Sequence, residues 1–267
     1  MSVDRPPQVL FFDVFGTVVE WRSCVGRAWS EAAERALSDP KNELSPKVRA
    51  KASAMTIRDW LAVTEEWRKS YAQFTRNFVL DDNFITVDEH HYEYIDKLME
   101  NWNLDGLISD TEKWNLTQSW HRLDPWPDSV QGLNLLNRKF RTSTLSNGNA
   151  SLLEDLRDYG HLPFEDITSA EHFGAYKPSS IVYSRAAAKF GLDPSECALV
   201  AAHLHDLQAA KKVGFQTIYI QRPQEEELPS EVVAQAKQEY VDMWIDLDSM
   251  GLLEVASNFG IKPDVTY

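Results

Sequence analysis

Cysteine is nearly absent from this 267-residue chain: Cys24 and Cys197 are the two present. They stand far apart and match no metal or disulfide spacing. A disulfide-stapled scaffold is thereby excluded, and buried spectator thiols in a reducing compartment are expected. Also missing is any apolar run of membrane-spanning length, and Met1 to Pro7 carry no signal-peptide core, so the expectation is a cytoplasmic protein with no membrane partner. Positive charge is in short supply: 27 Lys and Arg face 41 Asp and Glu, a net charge of −14. That balance disfavours non-specific binding to nucleic acid or anionic membrane, although a few cations inside a cleft can still hold an anionic substrate. Internal repeats and low-complexity tracts are absent too. What remains, 43% hydrophobic and 25% charged, is ordinary for a globular protein of one large domain or a core with an insert.

The most informative stretch runs from Phe11 to Val19. Val9 to Phe12 is a short continuous apolar run, as expected of a strand buried on both faces of a parallel sheet. It stops at Asp13, and Gly16 permits a sharp turn after it. A carboxylate at the carboxyl end of a buried strand stands where open α/β sheets place their ligands. Taken alone, Asp-x-x-Gly reads more readily as a turn. Its significance comes from residues 130 to 190 positions later.

From about Arg22 to Arg122 the periodicity is helical, with no convincing strand. Trp67, Tyr71, Phe74 and Phe78 form one stripe; Ile95, Leu98, Met99 and Trp102 form another, begun by acidic Asp88-Glu89. Ser45-Pro46 reads as a helix entrance. Core packing between helices accounts for both stripes. Alternation of strand and helix begins at Trp126: a helix from Asp128 to Lys139, a strand from Phe140 to Leu145, a helix ending at Gly160, and a brief strand at Ile167-Thr168-Ser169. A helix to Phe190 follows, then a strand from Cys197 to Ala202, a polar turn from His203 to Asp206 with a helix to Val213, and strands at Thr217–Ile220 and Met243–Leu247. Glu225-Glu226-Glu227 reads as a solvated acidic loop. The predicted fold class is α/β, a doubly wound parallel sheet with an all-helical cap inserted after the first strand. The expected boundaries are 1–21 with 123–267 for the core and 22–122 for the cap. Four strand ends then bring Asp13, Ser146, Lys177 and Asp206 to one sheet edge.

Four sequence blocks in order, Asp13-x-x-Gly-Thr17, Ser146-Asn147-Gly148, Lys177-Pro178 and the Asp206 segment after an apolar strand, resemble the haloacid dehalogenase superfamily, with its Rossmann-like core. Its phosphatases carry a second acid two residues after the first and another four before the Asp206 position, and bind Mg²⁺. Here those positions hold Phe15 and Ala202, which leaves few hard oxygen donors for the ion. The metal-free branch with an aromatic second residue, the L-2-haloacid dehalogenases, is the one this sequence resembles, through Phe15-Gly16-Thr17, Ser146-Asn147-Gly148, and Tyr176-Lys177-Pro178 with Tyr183. The resemblance implies hydrolysis of short 2-haloalkanoic acids with no cofactor and no metal. Asp13 would attack the halogen-bearing carbon, Lys177 would hold it ionised, and Asp206 would assist the water that cleaves the resulting ester. It also assigns substrate contacts to Thr17, Ser146 and Asn147, a halide-accepting role to Arg68, pocket walls to Phe15 and Trp126, and a site position to Tyr183. A homodimer is expected from the resemblance and the Trp-rich insert.

Two departures stand in the segment before Asp206, where better-known dehalogenases have Ser and Asn and this chain has Ala201 and His203. His203 is expected to substitute as a donor or an additional base. With no third ligand beside His203 and His205, no metal site is expected there. The competing readings are a Mg²⁺-dependent phosphatase or other hydrolase of the same superfamily, and a catalytically silent relative that binds a partner or a small acid.

Overall fold

The structure is a computed structural model describing residues 6–80 and 83–263. In chain order its strands and α-helices are β1 (Val9–Phe12), β2 (Val19–Glu20), α1 (Arg22–Ser38), α2 (Pro46–Ala54), α3 (Ile57–Asn77), α4 (Val87–Trp102), α5 (Asp110–Thr117), β3 (Asp124–Pro125), α6 (Ser129–Leu136), β4 (Arg141–Thr144), α7 (Ala150–Tyr159), α8 (Ser180–Lys189), β5 (Cys197–Ala201), α9 (Leu204–Val213), β6 (Gln216–Ile220), α10 (Ser230–Glu239), β7 (Met243–Ile245) and α11 (Leu252–Asn258). The chain divides into two compact units, Met1–Glu20 with Pro125–Tyr267, and Trp21–Asp124.

The first unit is built on a five-stranded parallel sheet of order β4-β1-β5-β6-β7. All four residues of β1 are fully buried, which is why the sequence there is an unbroken apolar run rather than an alternation. After β4 the chain crosses β1 to form β5, so the order reverses around β1. The crevice at such a reversal, beyond the carboxyl ends of the strands, is where α/β sheets bind ligands. Register brings the strand ends level: Phe12 pairs with Thr144 on one side and Val200 on the other.

Three local stretches differ from the sequence expectation. Ile167-Thr168-Ser169 is not a strand; the chain there makes isolated bridges through Asp166 and Ser169. Side chains replace part of the ladder, since Thr168 N–H donates to Thr144 Oγ1 at 2.9 Å and that hydroxyl donates to Thr168 O at 3.0 Å. Helix α9 starts at Leu204, so Asp206 belongs to its first turn rather than to a loop before it. After the acidic run, α10 is a helix the sequence reading left out.

The second unit is helical, and its centre is aromatic. Trp29 stacks on Trp60 at 6.2 Å and meets Trp67 edge-on at 5.3 Å, and His91 stacks on Trp120 at 4.7 Å. Contacts of this kind add to the large area each ring buries. Ser45 caps α2 with Pro46 in its first turn. Thr56 with Asp59 and Thr86 with Glu89 form capping boxes that start α3 and α4, each satisfying otherwise orphaned N–H groups. Among the described residues, no helix is long and apolar enough to cross a membrane.

Candidate active site

The sheet edge of the first unit gathers charge that would be costly to bury unpaired. Asp13 leaves β1 with its own N–H on Val200 O at 3.0 Å and has 7% of its surface exposed. Its two carboxylate oxygens are differently engaged. Oδ1 accepts from Lys177 Nζ at 2.9 Å. Oδ2 accepts from the Thr17 hydroxyl at 2.9 Å and lies 3.0 Å from His203 Nδ1. Thr17 Oγ1 in turn accepts from Ala202 N–H at 2.9 Å, which aims the hydroxyl proton at Asp13.

Lys177 bridges the two aspartates. Its ammonium reaches Asp206 Oδ2 at 2.5 Å as well as Asp13, and the Tyr183 hydroxyl donates to Asp206 Oδ1 at 2.5 Å. The lysine backbone is fixed by the Asn147 amide, which accepts from Lys177 N–H at 2.7 Å and donates to Lys177 O at 3.1 Å. The loop therefore delivers the ammonium to one place, where it makes charge-assisted bonds to both carboxylates.

The electrostatics follow from that geometry. Burial by itself would push the Asp13 carboxyl up; the Lys177 charge and the hydrogen bond and charge of His203 outweigh it and hold Asp13 well below the usual carboxylate range. Burial would lower Lys177, but Asp13 and Asp206 keep it above its ordinary value. Burial and the neighbouring Asp206 charge push the Tyr183 phenol well up, so it stays a donor. His203 is opposed by burial and raised to about 9 by its hydrogen bonds to Asp13 and Glu225 and by their charges.

A magnesium ion does not fit these side chains. The lysine ammonium already lies between the two aspartates, and Phe15 and Ala202 offer no side-chain oxygen. Among the described residues no group of three or more His, Cys, Asp and Glu side chains is arranged to hold a metal.

Of the residues predicted from sequence, Asp13, Thr17, Lys177, Tyr183, His203 and Asp206 form one hydrogen-bonded network, with Asn147 attached through the lysine backbone. Thr17 has its hydroxyl committed to Asp13, and Tyr183 reaches Asp206. Ser146 is fully buried, its Oγ accepting from Gly148 N–H at 3.3 Å. The Phe15 ring packs against Gly148, where an added Cβ would meet it at 3.1 Å. Trp126 donates through Nε1 to Gly16 O at 3.0 Å. Arg68 belongs to the helical unit, with its guanidinium 4.5 Å from the Tyr71 ring centre and 5.6 Å from that of Trp21.

Two neighbours of the site escaped the sequence reading. Glu225 is not a solvated loop residue: its side chain is 3% exposed and its Oε2 lies 3.2 Å from His203 Nε2. Its carboxylate lies over Gly16, where a Cβ would come within 2.2 Å of Oε2 at a backbone φ of +78°. Arg222 forms a bidentate pair with Asp128 at 2.7 and 2.8 Å and donates from Nε to Thr17 O at 3.0 Å, which ties down the turn that follows Asp13. Both lie just past the carboxyl end of β6, so the edge argument that singled out Asp13 could have reached them.

Known proteins are similar to this chain over much of its length. The model of the haloacid dehalogenase-like hydrolases matches residues 7–214. An (S)-2-haloacid dehalogenase of Pseudomonas sp. (strain CBS-3) is 30% identical over 166 residues, 60% of this chain and 72% of the relative. Two solved structures, each 29% identical, are a defluorinating L-2-haloacid dehalogenase, with a TM-score of 0.74 and 95% of each chain covered, and another L-2-haloacid dehalogenase, with a TM-score of 0.76 over 96% of this chain and all of the other.

Proposed function

The chain belongs to the haloacid dehalogenase-like hydrolase family, and from that premise we propose that it hydrolyses the carbon–halogen bond of short 2-haloalkanoic acids through an ester on Asp13, without a metal ion. The observation that carries this reading is a buried carboxylate kept ionised by a lysine 2.9 Å away, with Phe15 where a phosphatase of the superfamily has its second acid. A desolvated carboxylate is a better nucleophile than a hydrated one, provided a fixed positive charge prevents its protonation. Lys177 supplies that charge.

The steps follow from which oxygen is the less engaged. Oδ2 takes two hydrogen bonds and Oδ1 one, so Oδ1 is the attacking atom. Its lone pair forms the bond to C2 of the substrate while the carbon–halogen pair leaves as halide. Water then adds to Cγ of Asp13, its proton passing to Asp206 and on to the departing alkoxide. The Cγ–Oδ1 bond breaks, releasing a 2-hydroxy acid and leaving Asp13 as the acid with one oxygen from water, and loss of its remaining proton to solvent restores the carboxylate. Tyr183 and Lys177 keep Asp206 oriented for that proton transfer.

Chloride release from 2-chloropropionate in the presence of EDTA tests the reading, with Asp13→Asn as control. A single turnover in ¹⁸O-water should label Asp13 and leave the hydroxy acid unlabelled. Label in the first-turnover hydroxy acid would rule out the ester. The rival reading, a phosphatase of the same superfamily, stands instead if the protein turns over phosphate monoesters with added Mg²⁺ and releases no halide.

A further inference from the structure

His203 stands between two carboxylates, with Nδ1 3.0 Å from Asp13 Oδ2 and Nε2 3.2 Å from Glu225 Oε2. An ionised carboxylate offers only acceptors, so each contact needs an N–H on the ring. A histidine holding both protons has no lone pair with which to act as a base. Glu225 is itself enclosed, resting over Gly16, and the adjacent Glu226 is occupied with Leu204 N–H at the start of α9. Lys177 and Asp206 are also near, bonded in turn beyond Asp13, and the ring centre of His205 is 5.7 Å away.

Building on the ester pathway above, we propose that Glu225 is a positioning residue that holds His203 as a fixed donor, and that His203 and Thr17 together form the oxyanion site for hydrolysis of the Asp13 ester. The geometry distinguishes the two half-reactions. Once Oδ1 carries the alkyl group, Oδ2 is the carbonyl oxygen of the ester, and the Thr17 hydroxyl and His203 Nδ1–H already converge on it. Addition of water to Cγ sends the carbonyl π pair onto Oδ2, where the developing charge meets a cationic donor and a neutral one. Collapse returns that pair to the carbonyl and expels the alkoxide, which takes the proton delivered from Asp206. Donors placed in advance on the atom that becomes negative stabilise the transition state without reorganisation. The Glu225 charge matters most at this stage, because alkylation removes the negative charge of Asp13 and leaves Glu225 as the carboxylate still bonded to His203.

Two experiments test this. In protein carrying ¹⁵N-histidine, both His203 ring nitrogens should be protonated at pH 7, and Glu225→Gln should move that titration to lower pH, with Glu225→Asp recovering part of the shift. A single neutral tautomer at pH 7 in the unaltered protein would overturn the proposal whatever the substrate. With 2-chloropropionate, His203→Ala should still release about one equivalent of halide in the first turnover, while steady-state turnover falls on the order of 100-fold and the intact protein gains the mass of one propionate unit. Glu225→Gln should show the same pattern more weakly, with the alkaline limb of kcat displaced to lower pH. Halide release and steady-state turnover falling together, with no ester mass, would remove the oxyanion role. A native protein that releases no halide from any short haloacid would instead overturn the dehalogenase reading, and the NMR titration would still decide the His203–Glu225 pairing.

Discussion

His203 and His91 are two enclosed histidines in different units of the same chain, and they are driven in opposite directions. His203 has 14% of its side chain exposed and is flanked by two carboxylates; it is raised to about 9 against burial's pull. His91, 2% exposed, stacks on Trp120, meets Trp67 edge-on and lies beside Tyr71. Burial, with like charge from His90, Arg68 and His121, holds it well below the ordinary value. Enclosure alone therefore says little about function. The sheet edge of the core unit keeps His203 charged by pairing it with carboxylates, whereas the helical unit keeps His91 neutral among rings.

The strongest way to break this contrast is to remove the proposed nucleophile. Asp13→Asn keeps the shape and loses the charge, and turnover should fall by on the order of 10,000-fold or more, measured as halide release. Lys177→Met comes next, since it strands Asp13 and Asp206 without their shared cation. Deleting one side of a buried pair costs about 3–5 kcal/mol, so urea unfolding at pH 7 should show a loss of that order together with loss of activity. The penalty should shrink at acidic pH as the stranded carboxylates take up protons. Unchanged stability at pH 7 would mean that Lys177 is not what holds these acids.

Much of that edge was legible beforehand because strand ends are marked in sequence. Asp13, Ser146 and Asp206 each follow a strand, directly or through the turn beyond it, and parallel register carries them to one side, where Lys177 arrives on the loop after the bridged stretch at 166–169. Phe15 and Ala202 were legible as missing acids. Glu225 was not, because Glu225-Glu226-Glu227 has the composition of a solvated loop, and nothing in a charge run tells which member turns inward. The inward turn depends on Gly16, 209 residues earlier, which leaves room for the carboxylate. Ile167 to Ser169 looked like a strand because β-branched residues suit both a ladder and the Thr144–Thr168 hydroxyl exchange that stands in for one. In the helical unit the apolar stripes gave the helices, but which aromatic ring meets which depends on packing between helices that periodicity does not encode.

Stability against pH sharpens the comparison at a smaller scale. The raised His203 contributes stability that is complete below the unfolded value near 6.5 and is lost as pH climbs through about 9. At about 1.4 kcal/mol per pH unit, that is on the order of 3 kcal/mol. Urea titrations from pH 6 to 10 should show the native protein weakening on the alkaline side more than His203→Gln does. Parallel curves would show that the ring carries no extra proton in the folded state.

His91 should produce the mirror image. Its folded value is depressed, so its contribution is complete above about 6.5 and is lost as pH falls below that, because the unfolded chain takes up a proton that the folded ring refuses. His91→Phe replaces an imidazole whose buried Nδ1 has no hydrogen-bond partner with a ring suited to the Trp67, Tyr71 and Trp120 surroundings. The backbone carbonyl that accepts from Trp67 Nε1 at 3.2 Å is unaffected by the exchange. Phe is the larger ring, and extra volume in a packed core costs about 1–3 kcal/mol, so at pH 7 the variant should unfold somewhat below the native midpoint. Between pH 6.5 and 4.5 it should lose less stability than the native chain. The same exchange at position 203 would place an apolar ring against the Asp13 and Glu225 carboxylates. Thermal midpoints of the two variants across that range therefore separate a histidine that is there to stay neutral from one that is there to be charged.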